Sequence, residues 1–306
     1  MKKIVVGSRR SELALTQANQ FLDTVKAAYP DVEIEIKEIV TKGDKILDVQ
    51  LSKVGGKGLF IKEIEQALLD GEIDIAIHSM KDVPSELHED LTIACVPPRE
   101  DMRDAFVSTD HVLFKDLPAG SVVGTSSLRR KAQLLGLRDD IEVKWIRGNI
   151  NTRLGKMRDG EYDAIILAAA GIKRMGWEDI VTEYFSPEEF IPAVAQGALG
   201  VEVRKENREL LDMLKTLENA EDRTCVTAER TFLNRMDGSC HVPIGGYATF
   251  EDEELYLTGL IMDNEGTVKY VVKKSHDNPV ELGNIVADEM EKIGAKALLD
   301  EINDEA

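Results

Sequence analysis

Residues 3–40, KIVVGSRRSELALTQANQFLDTVKAAYPDVEIEIKEIV, decide the fold class. Lys3 to Val6 is a short apolar run with the character of a strand, and Ser11 to Ala28 carries its apolar residues at helical spacing. Val32 to Val40 alternates apolar and acidic residues, the pattern of a strand with one buried face. Strand, helix and strand in that order form a βαβ unit. The rhythm continues outward from there. A helix is expected over Ile61 to Leu69, ended by Asp70-Gly71. The strand Ile73 to Ile77 then delivers His78, Ser79, Met80, Lys81 and Asp82 to a strand end that Pro84 cannot continue. Thr41 to Gly58, rich in Gly and Lys and without period, is expected to be a long functional loop, mobile and able to act as a lid.

After a strand from Leu91 to Val96, Pro97-Pro98 and the charged run Arg99 to Asp104 mark a crossing into a second α/β lobe. Its pieces are a strand over Ser121 to Val123, a turn and helix over Gly124 to Leu135 and a strand over Glu142 to Ile146. A helix over Asn151 to Met157 and a strand over Tyr162 to Ala168 follow. The Pro, Ala, Gly and Gln residues between Phe190 and Gly200 suit a return crossing, after which Val201 to Arg204 and a helix from Asn207 to Leu217 rejoin the first lobe. From Thr224 the pattern changes to a helix (Cys225 to Met236), strands around Tyr247, Leu255 and Val271, and a last helix from Pro279 to Leu299. That tail has the character of a small α+β domain with an antiparallel sheet. The expected partition is therefore 1–98 with 198–217 for lobe 1, 99–197 for lobe 2, and 218–306 for the C-terminal domain.

Lys and Arg number 38 against 57 Asp and Glu, a net charge of -19 over 306 residues. Long-range attraction to nucleic acid or an anionic membrane is thereby disfavoured, and any anion site must be local. The first apolar run is too short for a signal segment and no later run reaches transmembrane length, so a cytoplasmic protein is expected. A monomer is expected as well, because no large unexplained apolar surface is evident. Cys95, Cys225 and Cys240 are an odd set without CxxC spacing, which argues against a disulfide framework or a cysteine zinc site. The five histidines show no metal-ligand spacing, and no metal site is expected.

The chemistry lies in where cations fall within this acidic chain. Ser8-Arg9-Arg10-Ser11, Lys53-Val54-Gly55-Gly56-Lys57-Gly58, Gly124-Thr125-Ser126-Ser127-Leu128-Arg129-Arg130 and Arg147-Gly148-Asn149-Ile150-Asn151-Thr152-Arg153 each join small turn residues to Arg or Lys. Three of them follow an expected strand and open a helix, where unpaired backbone N–H groups and the helix dipole favour an anion. Arginine adds a fork matched to carboxylate or phosphate. A P-loop is excluded because the required Gly-x-x-x-x-Gly-Lys-Ser/Thr order fails, and a hydrolase nucleophile elbow because Leu128 stands where glycine is required. Asp82, past a buried strand and beside Lys81, is the best acid/base candidate. Cys240 lies in a glycine-flanked loop, Asp237 to Gly246, that could present a thiol, whereas Cys95 and Cys225 have core surroundings.

Four of these stretches, His78-Ser-Met-Lys-Asp-Val-Pro84, Gly124-Thr-Ser-Ser-Leu-Arg-Arg130, Arg147-Gly-Asn149 and Gly238-Ser-Cys-His-Val-Pro-Ile-Gly245, resemble the porphobilinogen deaminase family in order and spacing. Lys53 to Phe60, Tyr162 to Ile166 and Ala195-Gln-Gly-Ala198 extend the resemblance over essentially the whole chain. It implies two lobes like those of type II periplasmic binding proteins, a central cleft, and a third domain carrying a cofactor cysteine. It further implies a dipyrromethane held to Cys240 by a thioether, on which four porphobilinogen units are condensed with loss of ammonia and released as linear hydroxymethylbilane. By the same resemblance Asp82 is the catalytic residue, assisting ammonia departure. Cys240, Lys81, Asp82, Thr125, Ser127, Arg129, Arg130 and Arg147 hold the cofactor. Arg9, Ser11, Arg147, Arg153, Arg174 and Gln196 take the substrate's acetate and propionate groups, and Lys53, Lys57 and Phe60 belong to a mobile cover. Ser239 and His241 depart from residues common in the family, and neither change removes a reacting group.

Two other readings of the same residues compete. A two-lobed module that binds a small anion without catalysis explains the arginines but not Cys240. A phosphate-handling transferase accepts the Gly-Ser-Arg turns but calls for a nucleotide or metal motif that the sequence lacks.

Overall fold

A computed structural model of the chain describes residues 3–42, 61–84, 86–236 and 242–305. The expected loop beyond Lys42, with Lys53, Lys57 and Phe60, lies outside the described residues, and so does the segment containing Cys240. Contacts divide the chain into two compact units, Met1–Glu100 with Gly197–Arg223, and Asp101–Gln196 with Thr224–Ala306.

The first unit is built on β1 (Lys3–Arg9), β2 (Glu33–Ile39), β3 (Ile75–Ser79), β4 (Leu91–Cys95) and β10 (Leu199–Arg204), in the order β2-β1-β3-β10-β4. β1 runs parallel to β2 and β3, while β10, supplied by the returning chain, is antiparallel to β3 and β4. Both faces of the sheet are covered, as a largely parallel sheet requires. On one side Phe21, Leu22 and Val25 of α1 (Glu12–Ala28) and Leu210 and Leu214 of α6 (Arg208–Lys215) pack with Ile4, Val6, Val201 and Val203. On the other, Ile64, Ala67 and Leu68 of α2 (Lys62–Leu69) pack with Ile73, Ala76 and Leu91.

The second unit repeats this plan with β5 (Asp104–Ser108), β6 (Val122–Gly124), β7 (Glu142–Lys144), β8 (Ala164–Ala168) and β9 (Glu183–Tyr184), in the order β7-β6-β8-β5-β9. β6 is parallel to β7 and β8, and β5 is antiparallel to β8 and β9. The expected repeat of layout between the lobes is thus present down to the strand order. Helices α3 (Leu128–Leu137), α4 (Ile150–Arg158) and α5 (Ala169–Met175) follow β6, β7 and β8. The same unit holds an antiparallel sheet of β11 (Ile244–Glu251), β12 (Glu254–Met262) and β13 (Lys269–Ser275), packed with α8 (Pro279–Lys292) and α9 (Ala295–Glu305). Helix α7 (Ala220–Arg235) leads into it.

Several elements differ from the sequence expectation, among them β5, α5 and β9, which it did not foresee. The end of the charged crossing is the start of a strand: Asp104 opens β5 and is fully buried. The last helix is also two helices, because Gly294 takes φ +89, a conformation that ends α8 as a helix C-terminal glycine does. The antiparallel sheet rests on α3 through glycines. A Cβ on Gly266, itself at φ +75, would come within 2.6 Å of Gly136 N. Lys131 and Glu265 close the same contact at 2.8 Å.

Candidate functional site

In the first unit the candidate residues gather at the C-terminal ends of two adjacent parallel strands. Arg9 ends β1, and Ser11 caps α1 by accepting a hydrogen bond from Ala14 N at 3.3 Å. Beyond β3 a 3-10 turn, Met80–Asp82, carries Lys81 and Asp82. The turn is tied down: Met80 N donates to Ala198 O at 2.9 Å, Val83 N to Met80 O at 3.2 Å, and Gln17 Nε2 to Ser79 Oγ at 3.2 Å. Met80 and Val83 are buried, and Asp82 between them is exposed. Its carboxylate has no hydrogen-bond or ion-pair partner among the described residues, so a rigid turn presents an uncommitted acceptor to solvent.

In the second unit the candidates likewise follow parallel strands. Ser127 caps α3, accepting from Arg130 N at 3.4 Å, and Thr125 Oγ1 accepts from Ser127 N at 3.2 Å. Asn149 caps α4, its Oδ1 accepting from Thr152 N at 2.9 Å. Thus each of the three Arg-containing turns singled out in the sequence does join a strand to a capped helix N-terminus. Arg147 precedes the Asn149 cap, and Arg174 lies on α5 after β8.

Arg129 and Arg130 are buried, and much of their donor capacity is committed within the protein. Arg129 Nη1 donates to Asp104 Oδ2 at 2.8 Å and to Ile191 O at 2.6 Å. Arg130 donates to Asp104 Oδ1 through Nε at 3.0 Å and Nη2 at 2.7 Å, and to Ile166 O at 3.1 Å. Gln196 is buried beside them, its Nε2 donating to Met102 O at 2.8 Å and to Asp104 Oδ1 at 2.9 Å. Burial alone would push the Asp104 carboxyl up. The charges of Arg129 and Arg130, with their hydrogen bonds and that of Gln196, hold it well below the usual carboxylate range.

Arg153, half-buried on α4, donates through Nε to Gly148 O at 2.8 Å. Its guanidinium is pushed down to about 10, first by burial and then by the like charges of Arg130 and Arg147. Arg129 Nε is buried with no hydrogen-bond partner among the described residues. The ends of β6 and β7 in a strongly acidic protein therefore bring the guanidinium groups of Arg130, Arg147 and Arg153 close enough to repel one another.

Three buried carboxylates that the sequence did not single out organise these units. Asp104 is the first. Glu202 on β10 meets His78 Nε2 at 2.9 Å. Glu229 on α7 accepts from Ala195 N at 2.5 Å and from Ala248 N at 2.8 Å, joining the return crossing to β11. Ala195 has φ +58, a left-handed conformation unusual for a residue with a Cβ, and Glu229 anchors it. The sequence signal was faint: Asp104 ends a charged run, Glu202 follows an apolar one and Glu229 lies in a mixed helical stretch.

Comparison with known proteins follows the same lines. Residues 4–212 match the family model described as porphobilinogen deaminase, dipyromethane cofactor binding domain, and residues 223–292 match that of the porphobilinogen deaminase C-terminal domain. A curated porphobilinogen deaminase of Macrococcus caseolyticus is 60% identical over 304 residues, covering 99% of each chain. Those of Staphylococcus carnosus and Lysinibacillus sphaericus are 59% and 58% identical, covering 100% of this chain and 100% and 99% of theirs. The chain belongs to the porphobilinogen deaminase family.

Proposed function

We propose that the chain condenses four porphobilinogen molecules, with loss of ammonia, on a dipyrromethane primer joined by a thioether to Cys240, and releases linear hydroxymethylbilane by hydrolysis. The observation that carries this reading is the clustering of the Arg130, Arg147 and Arg153 guanidinium groups at the helix starts that follow β6 and β7. Each pyrrole of such an oligomer bears two carboxylates, and a partly buried group of like-charged guanidinium groups fits that ligand better than it fits water. The buried Nε of Arg129, partnerless among the described residues, fits in the same way. When bound, the dipyrromethane supplies a nucleophilic free α-carbon.

The chain's own residues bind, orient and stabilise charge. The uncommitted Asp82 carboxylate accepts the N–H of the reacting pyrrole and lies against the positive charge that grows on that ring as ammonia leaves. Lys81, Thr125, Ser127, Arg129, Arg130 and Arg147 hold the carboxylates of the cofactor. Arg9, Ser11, Arg153, Arg174 and Gln196 serve the substrate, Arg147 being shared between the two. Gln196, Arg129 and Arg130, many of whose donors go to Asp104 and to backbone carbonyls, also set the shape and charge of the corner. Lys53, Lys57 and Phe60 belong to a cover over the reaction. Residues 1–98 with 198–217, 99–197 and 218–306 act as two lobes and a cofactor-carrying domain. The enzyme works as a cytoplasmic monomer with no nucleic-acid partner, in keeping with its charge; no helix among the described residues is long and apolar enough to cross a membrane.

The test is Asp82→Asn, which keeps shape and loses charge. Because Asp82 is exposed and unpaired among the described residues, thermal stability should stay at the wild-type value while porphobilinogen consumption falls by about 100-fold or more. Turnover near wild type would remove Asp82 from this role.

A further inference from the structure

We infer that Glu202 is a positioning residue for Asp82, acting through His78 and the end of β3. The inference rests on the assignment of the reaction to Asp82 made above.

Glu202 sits on β10, between β3 and β4, and is 0% exposed. An ionised carboxylate in such a place is costly unless its oxygens are partnered. Here Oε2 meets His78 Nε2 at 2.9 Å, while Oε1 is buried with no hydrogen-bond partner among the described residues. In the antiparallel pair of β3 and β10, Gly200 lies opposite His78 and Glu202 opposite Ala76. Both side chains therefore leave the sheet on the Ala76 face, the one that packs on Ile64, Ala67 and Leu68 of α2. Glu65 on α2 senses the charge: burial first, and then Glu202, push its carboxyl up, against the opposing influence of His78, His88 and Lys62. Stability alone would be served as well by hydrocarbon side chains in place of both His78 and Glu202.

What the pair supplies is a fixed point on β3, four residues before Asp82. No slack intervenes. Met80 N is bonded to Ala198 O on the chain entering β10, and the Met80 side chain lies over Gly200, where an added Cβ would meet Sδ at 2.5 Å. The strand pairing with β10 stops at Ser79, opposite Leu199. The turn bearing Asp82 is thus held to β10 by the His78–Glu202 contact behind it and the Met80–Ala198 bond at its start. A reacting carboxylate must be held to about 0.5 Å by groups that are themselves locked. An imidazole pinned by a buried carboxylate is such a lock.

The experiment compares Glu202→Leu and Glu202→Gln with wild-type holoenzyme, with Asp82→Asn alongside. Glu202→Leu is expected to lower kcat for porphobilinogen by about 10- to 100-fold with little change in KM. Its thermal midpoint should fall, because His78 Nε2 loses its buried partner, and amide exchange over residues 80–83 should be faster. Glu202→Gln keeps an oxygen to face His78 and should restore most of kcat. If Glu202→Leu does not accumulate folded, Glu202→Met is measured in the same way. A hydrophobic variant with wild-type kcat would overturn the inference. A loss of kcat that tracks a fall in thermal midpoint in both Leu and Gln variants would do so too, because it would mark a purely structural role. If Asp82→Asn is inactive while Glu202→Leu is normal, only the positioning role fails. If Asp82→Asn turns over normally, the parent assignment fails.

Discussion

Replacing Asp104 by asparagine should expose how the second unit holds its guanidinium groups. The carboxylate accepts four hydrogen bonds, from Arg129 Nη1 at 2.8 Å, Arg130 Nε at 3.0 Å and Nη2 at 2.7 Å, and Gln196 Nε2 at 2.9 Å. Asparagine offers one oxygen and one NH₂, so either Arg129 or the Arg130 and Gln196 side must face donor to donor. Removing the charge from a buried ion pair costs about 3–5 kcal/mol. The carbonyls of Ile191 and Ile166, which each retain one guanidinium bond, place the expectation within that range and not above it. Urea unfolding followed by tryptophan fluorescence suits the measurement, since the two tryptophans, Trp145 and Trp177, both belong to the second unit. The pH dependence has a definite sign. Despite burial, the arginines hold the folded Asp104 carboxyl below its unfolded value of about 4. Its contribution is therefore complete above about pH 4 and is lost as pH falls from there toward the folded value. The deficit of Asp104→Asn should be full at pH 7 and shrink in acid. An unchanged urea midpoint at pH 7, or a deficit indifferent to acid, would refute the assignment of Asp104 as the counter-ion of this corner.

Arg153→Leu should act in opposite directions on stability and binding. Burial and the charges of Arg130 and Arg147 disfavour its cation, so unfolding should require as much urea as wild type or more, while KM for porphobilinogen rises; a lower urea midpoint with unchanged KM would contradict this. Gly266→Ala places a Cβ at φ +75 against Gly136, and thermal unfolding should show a loss of at least about 1–2 kcal/mol. An unaltered midpoint would mean that the β12–β13 turn does not rest on α3. Glu229→Gln sets an amide NH₂ against the N–H of Ala195 or of Ala248 and should cost about 1–3 kcal/mol by urea titration, a neutral substitution being the contrary result.

Local features of the fold were legible because they are written in neighbouring residues. The helical spacing from Ser11 to Ala28 and the alternation after Val32 gave the first βαβ unit, and Ser11, Ser127 and Asn149 mark helix starts three residues or fewer from the N–H groups they bond. Asp82 was visible because a strand, a turn and Pro84 follow one another in the chain. Asp104, Glu202 and Glu229 were not, since their partners lie 25, 124 and 34 residues away in Arg129, His78 and Ala195. A lone acid in the run Asp104-Ala-Phe-Val-Ser108 looks like the end of a charged loop until the fold brings two arginines to it. The break at Gly294 escaped for a related reason. An isolated glycine inside a helical pattern is compatible with one long helix, and only its left-handed φ of +89 ends α8 there.

The intact mass of the purified protein, set beside that of Cys240→Ser, addresses the central claim most directly. Wild type should be heavier than the unmodified 306-residue chain by one dipyrromethane, and the serine variant should match its own calculated chain mass. A wild-type protein at the bare chain mass, or a serine variant that keeps the increment, would contradict a primer tethered through Cys240.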